Sequence, residues 1–194
     1  VNLRPGVFFD RDGVINVPPP PEQRYITRPG DFRLMPGIAA AIRVFNEKQI
    51  PVAVVTNQKC VAMGIISEAE LAAIHARMAE LLAAEGARID DLRYCPHAGD
   101  PPCACRKPKP GMLLAAAEAL DIDLPRSWMV GDQFRDLQAG KAAGCRTVWV
   151  GEEAQACPEA DFLLSSTAEL PGWAENVSSE MVSYLQPPKN TPRF

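Results

Sequence analysis

The stretch Phe8–Asn16, FFDRDGVIN, sets two carboxylates, Asp10 and Asp12, one residue apart directly behind an apolar run. By itself it reads as a surface turn, since Asp and Gly suit turn geometry. The run before it, GVFF, argues for more: a continuous apolar segment of that length is the pattern of a strand covered on both faces of a parallel sheet. The deciding question is whether other strand ends carry the same chemistry.

Working outward, PVAVVTN (51–57), DLRYC (91–95), SWMVGD (127–132) and RTVWVG (146–151) read as further strands, with a short one at 162–164. Between them lie helical periods. Ile38, Ile42 and Phe45 mark a helix within 37–48, and Leu71, Ile74, Met78, Leu81 and Leu82 mark one running to Gly86. Ser67 with Glu70 three residues on forms a capping box at the start of the second. Residues 111–120 and 134–143 complete the helices, with Gly144 as a terminator. Strand and helix alternate, so the expected class is α/β, a parallel sheet with helices on both faces. Ligands of such sheets bind beyond the carboxyl ends of the strands. At those ends stand Asp10 and Asp12, then Thr56 and Asn57, then Asp132 and Asp136. Any one of them could be a turn or cap residue, and Asp132 sits where an N-cap would be. Their coincidence on one sheet edge argues for a site.

Composition limits what the site serves. The chain has 194 residues, 47% of them hydrophobic, enough to bury a core as one domain. A net charge of −4 offers no basic footprint for nucleic acid. No apolar run approaches the roughly 20 residues of a membrane span, and VNLRPGVFFDRDG lacks a signal-peptide layout, so a cytoplasmic protein is expected. The expected organisation is a single domain over residues 1–172 and a loosely ordered C-terminal tail over 173–194, acting as a monomer.

Six cysteines in such a chain suggest metal before disulfides. Cys95, His97, Cys103 and Cys105 fall within CPHAGDPPCAC, a loop spanning 95–105. Three thiolates and an imidazole suit tetrahedral Zn²⁺, with no position left open, so the role would be structural. A disulfide is the alternative, but Cys103 and Cys105 are too close in sequence to bridge easily. Cys60, Cys145 and Cys157 are scattered and read as packing residues or exposed thiols; His75 reads as a surface or interface residue.

Together, DRDGVIN, VVTNQ, CRKPKPGML and MVGDQFRD resemble the four motifs of the haloacid-dehalogenase-like (HAD) hydrolases, in order, over about residues 7–150. The cysteine segment narrows the resemblance to the branch of heptose bisphosphate and histidinol-phosphate phosphatases. The resemblance implies a Rossmann-like three-layer α/β/α fold with a minimal cap and a zinc loop. It also implies a Mg²⁺-dependent phosphomonoesterase: Asp10 as nucleophile, Asp12 as acid and base, and Mg²⁺ held by Asp10, Asp132 and the Asp12 backbone carbonyl. Thr56 and Lys107 would stabilise the transferring phosphoryl group, and Asp136 would orient metal-bound water or Lys107. Asn57, Gln58, Lys59, Arg106 and Lys107 would bind a small phosphorylated substrate. The acid role requires the pKa of Asp12 to be raised by burial and neighbouring carboxylates.

Physics makes cations necessary in any such site. Two like charges 4 Å apart repel by about 4 kcal/mol at an effective dielectric near 20, so a carboxylate cluster cannot receive a phosphate dianion unaided. Two segments depart from the heptose branch. Met63 stands where an arginine is usual, with Lys59 as a partial substitute, and Pro18–Pro21 form a stiff run at the mouth of the site. Histidinol phosphate or another small phosphosugar is therefore the alternative substrate. A DNA phosphatase is disfavoured by the acidic balance, and an idle zinc-held scaffold by four unbroken motifs.

Overall fold

The computed structural model describes residues 3–99, 102–152 and 158–183. Six strands form one wholly parallel sheet: β1 (Val7–Phe9), β2 (Val52–Asn57), β3 (Asp91–Cys95), β4 (Trp128–Gly131), β5 (Arg146–Val150) and β6 (Phe162–Leu164). Their order is β3-β2-β1-β4-β5-β6. The chain thus leaves β1 in one direction to build β2 and β3, and in the other to build β4 to β6. That reversal puts the switch point, where such sheets bind ligands, at the end of β1.

Strand side chains alternate between two cores, as a period of two requires. Val7, Phe9, Val52, Val54, Trp128, Val130 and Val148 face α1 (Ile38–Glu47), α2 (Glu68–Ala84) and α5 (Leu170–Ser183). Phe8, Ala53, Val55 and Met129 face α3 (Gly111–Leu120) and α4 (Phe134–Ala143). The expected capping box starts α2: Glu70 N donates to Ser67 Oγ at 3.2 Å and Ser67 N to Glu70 Oε2 at 2.7 Å. Gly144 ends α4 with φ at 90°.

Of the tail expected over 173–194, the described part is helical to Ser183, and residues 184–194 lie outside the described residues. Leu170, Trp173, Ala174, Val177 and Met181 are buried on one face of α5. Trp173 meets Phe45 of α1 edge-on at 5.8 Å and Trp128 at 5.6 Å. Weak helix formers such as Asn176, Ser178 and Ser179 mask the period in the sequence, and packing against α1 overrides them. Cys60 and Cys145 are buried packing residues, while Cys157 lies outside the described residues. Among the described residues, no helix is long and apolar enough to cross a membrane.

Candidate active site

Every strand flanking β1 delivers a polar group to one place. Asp10 follows β1, Thr56 is the next-to-last residue of β2, Asp132 follows β4, and Asp136 rises from the first turn of α4. Carboxylate oxygens of Asp10, Asp132 and Asp136 lie within 4.8 Å of one another. Lys107, from the loop between β3 and α3, drives its ammonium into the cluster: Nζ is 2.6 Å from Asp10 Oδ1, 2.8 Å from Asp136 Oδ1 and 2.7 Å from Val55 O. Lys107 and Asp136 are buried. Gly13 permits the crowding. Its φ is 93°, and a β carbon there would collide with the Asp132 carboxylate.

Three carboxylates around one ammonium leave an excess of negative charge away from water. The acids respond accordingly. Burial and then Asp136 push Asp10 up to about 7 against the pull of Lys107, and burial with Asp136 pushes Asp132 up to about 6. Burial alone would lower the pKa of Lys107, but the charges of Asp10 and Asp136 outweigh it and the pKa rises. Asp132 Oδ1 is buried with no hydrogen-bond donor among the described residues. All-oxygen donors suit Mg²⁺, and the orphaned Asp132 oxygen beside Asp10 is the acceptor such an ion would satisfy.

Asp12 departs from expectation. Its carboxylate turns onto Arg11, whose Nη2 lies 2.9 Å from both oxygens, and also accepts from Gln58 Nε2 at 2.9 Å and Asn16 Nδ2 at 3.1 Å. Burial acts to raise its pKa, but the guanidinium charge and these hydrogen bonds win and hold it below the usual carboxylate value. The expected upward shift is therefore corrected, because Asp12 faces a cation and not the other acids. Arg11 is 1% exposed and was not anticipated as a functional residue. The clue was available: a charge wedged between a buried strand and a glycine must be paired. Its Nη1 is 3.2 Å from His75 Nε2, and His75 lies 5.7 Å from the Tyr94 ring. His75 is thus an inward-facing partner of Arg11, not a surface residue. Burial and then the Arg11 charge push its pKa down to about 4.

The expected substrate-binding residues divide. Asn57 spends its amide on the Lys107 backbone, accepting from Lys107 N and donating to Lys107 O, both at 3.1 Å. Gln58 bridges Asp12 and Thr56, reaching Thr56 Oγ1 at 2.8 Å. Both thus hold other residues of the cluster in place, Asn57 the Lys107 backbone and Gln58 the Asp12 and Thr56 side chains. Arg106 donates to His97 O at 3.0 Å, and Lys59 stands half-buried beside the site. The N-cap of α4 is Gln133 and not Asp132; Gln133 N donates to Asp136 Oδ2 at 3.1 Å. The loop after β1 folds back, Val17 N donating to Arg33 O and Met35 N to Ile15 O, both at 2.9 Å. Tyr25 beyond the proline run then reaches Met63 Sδ at 3.7 Å. The two segments expected to touch substrate thus touch each other.

Cys95, His97, Cys103 and Cys105 converge beside Lys107. Cys95 Sγ is 3.6 Å from both Cys103 Sγ and His97 Nδ1, and His97 Nδ1 is 3.3 Å from Cys105 Sγ. A tetrahedron with Zn–S bonds of about 2.3 Å and a Zn–N bond of about 2.0 Å has edges of about 3.5 to 3.8 Å. The four donors fit such an ion. Lys109 Nζ, donating to Cys103 O at 2.7 Å, ties the same loop to the chain just past Lys107.

Comparison with known proteins agrees with this arrangement. Residues 104–166 match the HAD-hydrolase-like family model. A D-glycero-beta-D-manno-heptose-1,7-bisphosphate 7-phosphatase of Rhodopseudomonas palustris is 45% identical over 148 residues, 73% of this chain and 80% of that protein. The protein of the same name from Escherichia coli K12 is 37% identical over 179 residues, 86% of this chain and 92% of its own. The crystal structure of D,D-heptose 1,7-bisphosphate phosphatase from B. bronchiseptica, complexed with magnesium and phosphate, matches with a TM-score of 0.80 at 36% identity, covering 91% of this chain and 99% of that one. With acids, lysine and thiol loop placed as the four motifs require, the chain belongs to the heptose-bisphosphate phosphatase family of HAD-like hydrolases.

Proposed function

We propose that this phosphatase removes the 7-phosphate of D-glycero-D-manno-heptose 1,7-bisphosphate by way of an aspartyl-phosphate on Asp10. The observation that carries the reading is the meeting of Asp10, Asp132 and Asp136 around the Lys107 ammonium at the switch point of the sheet. Relatives named for that activity supply the substrate.

A carboxylate oxygen of Asp10 attacks phosphorus; the P–O bond to the sugar breaks as the Asp10 O–P bond forms, and the sugar oxygen leaves with its electron pair. Lys107 and the Thr56 hydroxyl stabilise the charge that gathers on the phosphoryl oxygens. Asp10, Asp132 and the Asp12 carbonyl would hold Mg²⁺, which would supply the positive charge that lets a dianion approach. In the second step Asp12 takes a proton from water, whose oxygen attacks phosphorus and releases Asp10 with inorganic phosphate. Asp12 rests ionised against Arg11, the state this step needs. Protonating the leaving sugar oxygen in the first step requires Asp12 to swing off Arg11. Asp136 positions Lys107. Zn²⁺ in the Cys95–Cys105 loop is structural, setting the chain that carries Arg106 and Lys107.

Relative kcat/KM for heptose 1,7-bisphosphate and histidinol phosphate, with Mg²⁺ present, tests the substrate. A preference for histidinol phosphate would overturn the sugar assignment. That second reading draws on uncharged Met63, 51% exposed in a segment beside the site.

A further inference from the structure

Asp12 has to leave Arg11 to protonate the sugar oxygen, and the guanidinium it leaves behind is 1% exposed. A buried charge that loses its partner is strongly destabilised. Either the carboxyl stays where it is, or the guanidinium follows it, unless a third group holds Arg11 back.

The guanidinium divides its donors between two sides. Nε and Nη2 face Asp12, at 3.3 Å and 2.9 Å, while Nη1 donates to His75 Nε2 at 3.2 Å. With Asp12 gone, His75 is the hydrogen-bond partner left to the fork among the described residues, and the Phe32 ring flanks it at 6.0 Å from Cζ. The base of the side chain is fixed as well, because Arg11 O accepts from Ile15 N at 2.8 Å and from Asn16 N at 2.9 Å. His75 is equally well set. Leu71, Ile74 and Met78 bury the same stretch of α2 in the core. The His75 ring lies 5.7 Å from that of Tyr94 in β3, whose hydroxyl donates to Glu68 Oε2 at 2.6 Å in the first turn of α2. An imidazole accepts from a guanidinium only when neutral. Burial and the Arg11 charge keep it so, with its pKa pushed down to about 4.

We propose that His75 is a positioning residue for the reaction: by holding the far end of Arg11, it lets Asp12 travel to the sugar oxygen without its guanidinium partner. The inference rests on the reading of Asp12 as the acid and deepens it. A carboxyl still gripped by both arms of the fork has no oxygen free to meet the leaving group. The step in which the leaving group departs governs kcat/KM, so this quantity reads the arrival of Asp12 and not hydrolysis of the aspartyl-phosphate. An alkyl ester needs the proton; p-nitrophenyl phosphate, whose leaving group is stable as an anion, does not. The test is the ratio of kcat/KM for the alkyl ester the wild type prefers, heptose 1,7-bisphosphate or histidinol phosphate, to that for p-nitrophenyl phosphate. The ratio should fall about tenfold in H75L and H75F, a fraction of what a positioned acid contributes. Either variant suffices if the other does not fold. H75Q, whose amide oxygen accepts from Nη1, should restore the wild-type ratio. Lost packing alone would lower both substrates together, so an unchanged ratio in H75L and H75F overturns the inference, as does a ratio in H75Q as low as theirs. D12N separates the two levels. If it keeps the wild-type ratio, Asp12 is not the acid and that reading falls with the inference; a low ratio in D12N beside an unchanged one in H75L and H75F overturns the inference alone.

Discussion

Lys107→Met removes the only ammonium that the described residues place in the acid cluster and keeps most of the side chain's bulk. At 2.6 Å from Asp10 and 2.8 Å from Asp136, each attraction is about 6 kcal/mol gross at an effective dielectric near 20. Most of that offsets the desolvation of the ammonium. The measurable effect is the isolation of the remaining charges, about 3 to 5 kcal/mol when one partner of a buried pair is deleted. In a chain of this size that lowers Tm by about 10 °C. The loss depends on pH. Asp10 already sits at about 7, raised chiefly by burial, and losing Lys107 raises it further. A carboxyl with a folded pKa above its unfolded one binds more protons when folded, so its contribution falls as pH rises from about 4 through the folded value. Metal-free K107M should therefore be more destabilised at pH 8 than at pH 6, and added Mg²⁺ should raise its Tm more than that of the wild type. Calorimetry with and without chelator at both pH values reads this, and phosphate release should show kcat down by about 10² to 10³. A variant with wild-type Tm and kcat, or with no greater response to Mg²⁺, would refute the charge argument.

Asp10→Asn should abolish phosphate release while the protein stays folded; measurable turnover would remove Asp10 as the nucleophile. Protein purified without chelator should carry about one zinc per chain. Stripping it should lower both Tm and kcat, since the loop leads directly into Lys107, and clearly substoichiometric zinc would count against the site. The fourth prediction concerns acid. His75, at about 4 when folded against 6.5 free, is uncharged in the fold. Its contribution is fully present above about pH 6.5 and is lost as pH falls toward 4, by up to about 3 kcal/mol. H75Q, which keeps an acceptor for Arg11, should flatten that limb of the stability profile; an unchanged limb would exclude His75.

Much of this was legible before any coordinates. Five strand segments and a short sixth, the α2 capping box and the Gly144 terminator follow from local signals, because buried parallel strands and capped helices have short-range patterns. α5 was not legible: its apolar period is spaced by serines and asparagine, and only Trp173 docking between Phe45 and Trp128 makes it worth forming. The site shows the same division. Residue types and spacing pointed to Asp10, Asp132 and the Cys95, His97, Cys103 and Cys105 set, and the family resemblance added Lys107. They could not reveal that Asn57 clamps the Lys107 backbone or that Gln58 braces Asp12.

What the amino-acid order settled alone was which chemical groups stand at the ends of strands, since strand and helix periods are written within a few residues of each side chain. What tertiary structure decided was their charge. Asp10 and Asp12 are two residues apart, yet the pKa of one rises and that of the other falls. The first is buried facing Asp136, from over a hundred residues away; the second lies against its neighbour Arg11, itself held in place by His75 of α2. Electrostatic energy depends on distance in space and on access to water, and neither quantity is a property of sequence separation.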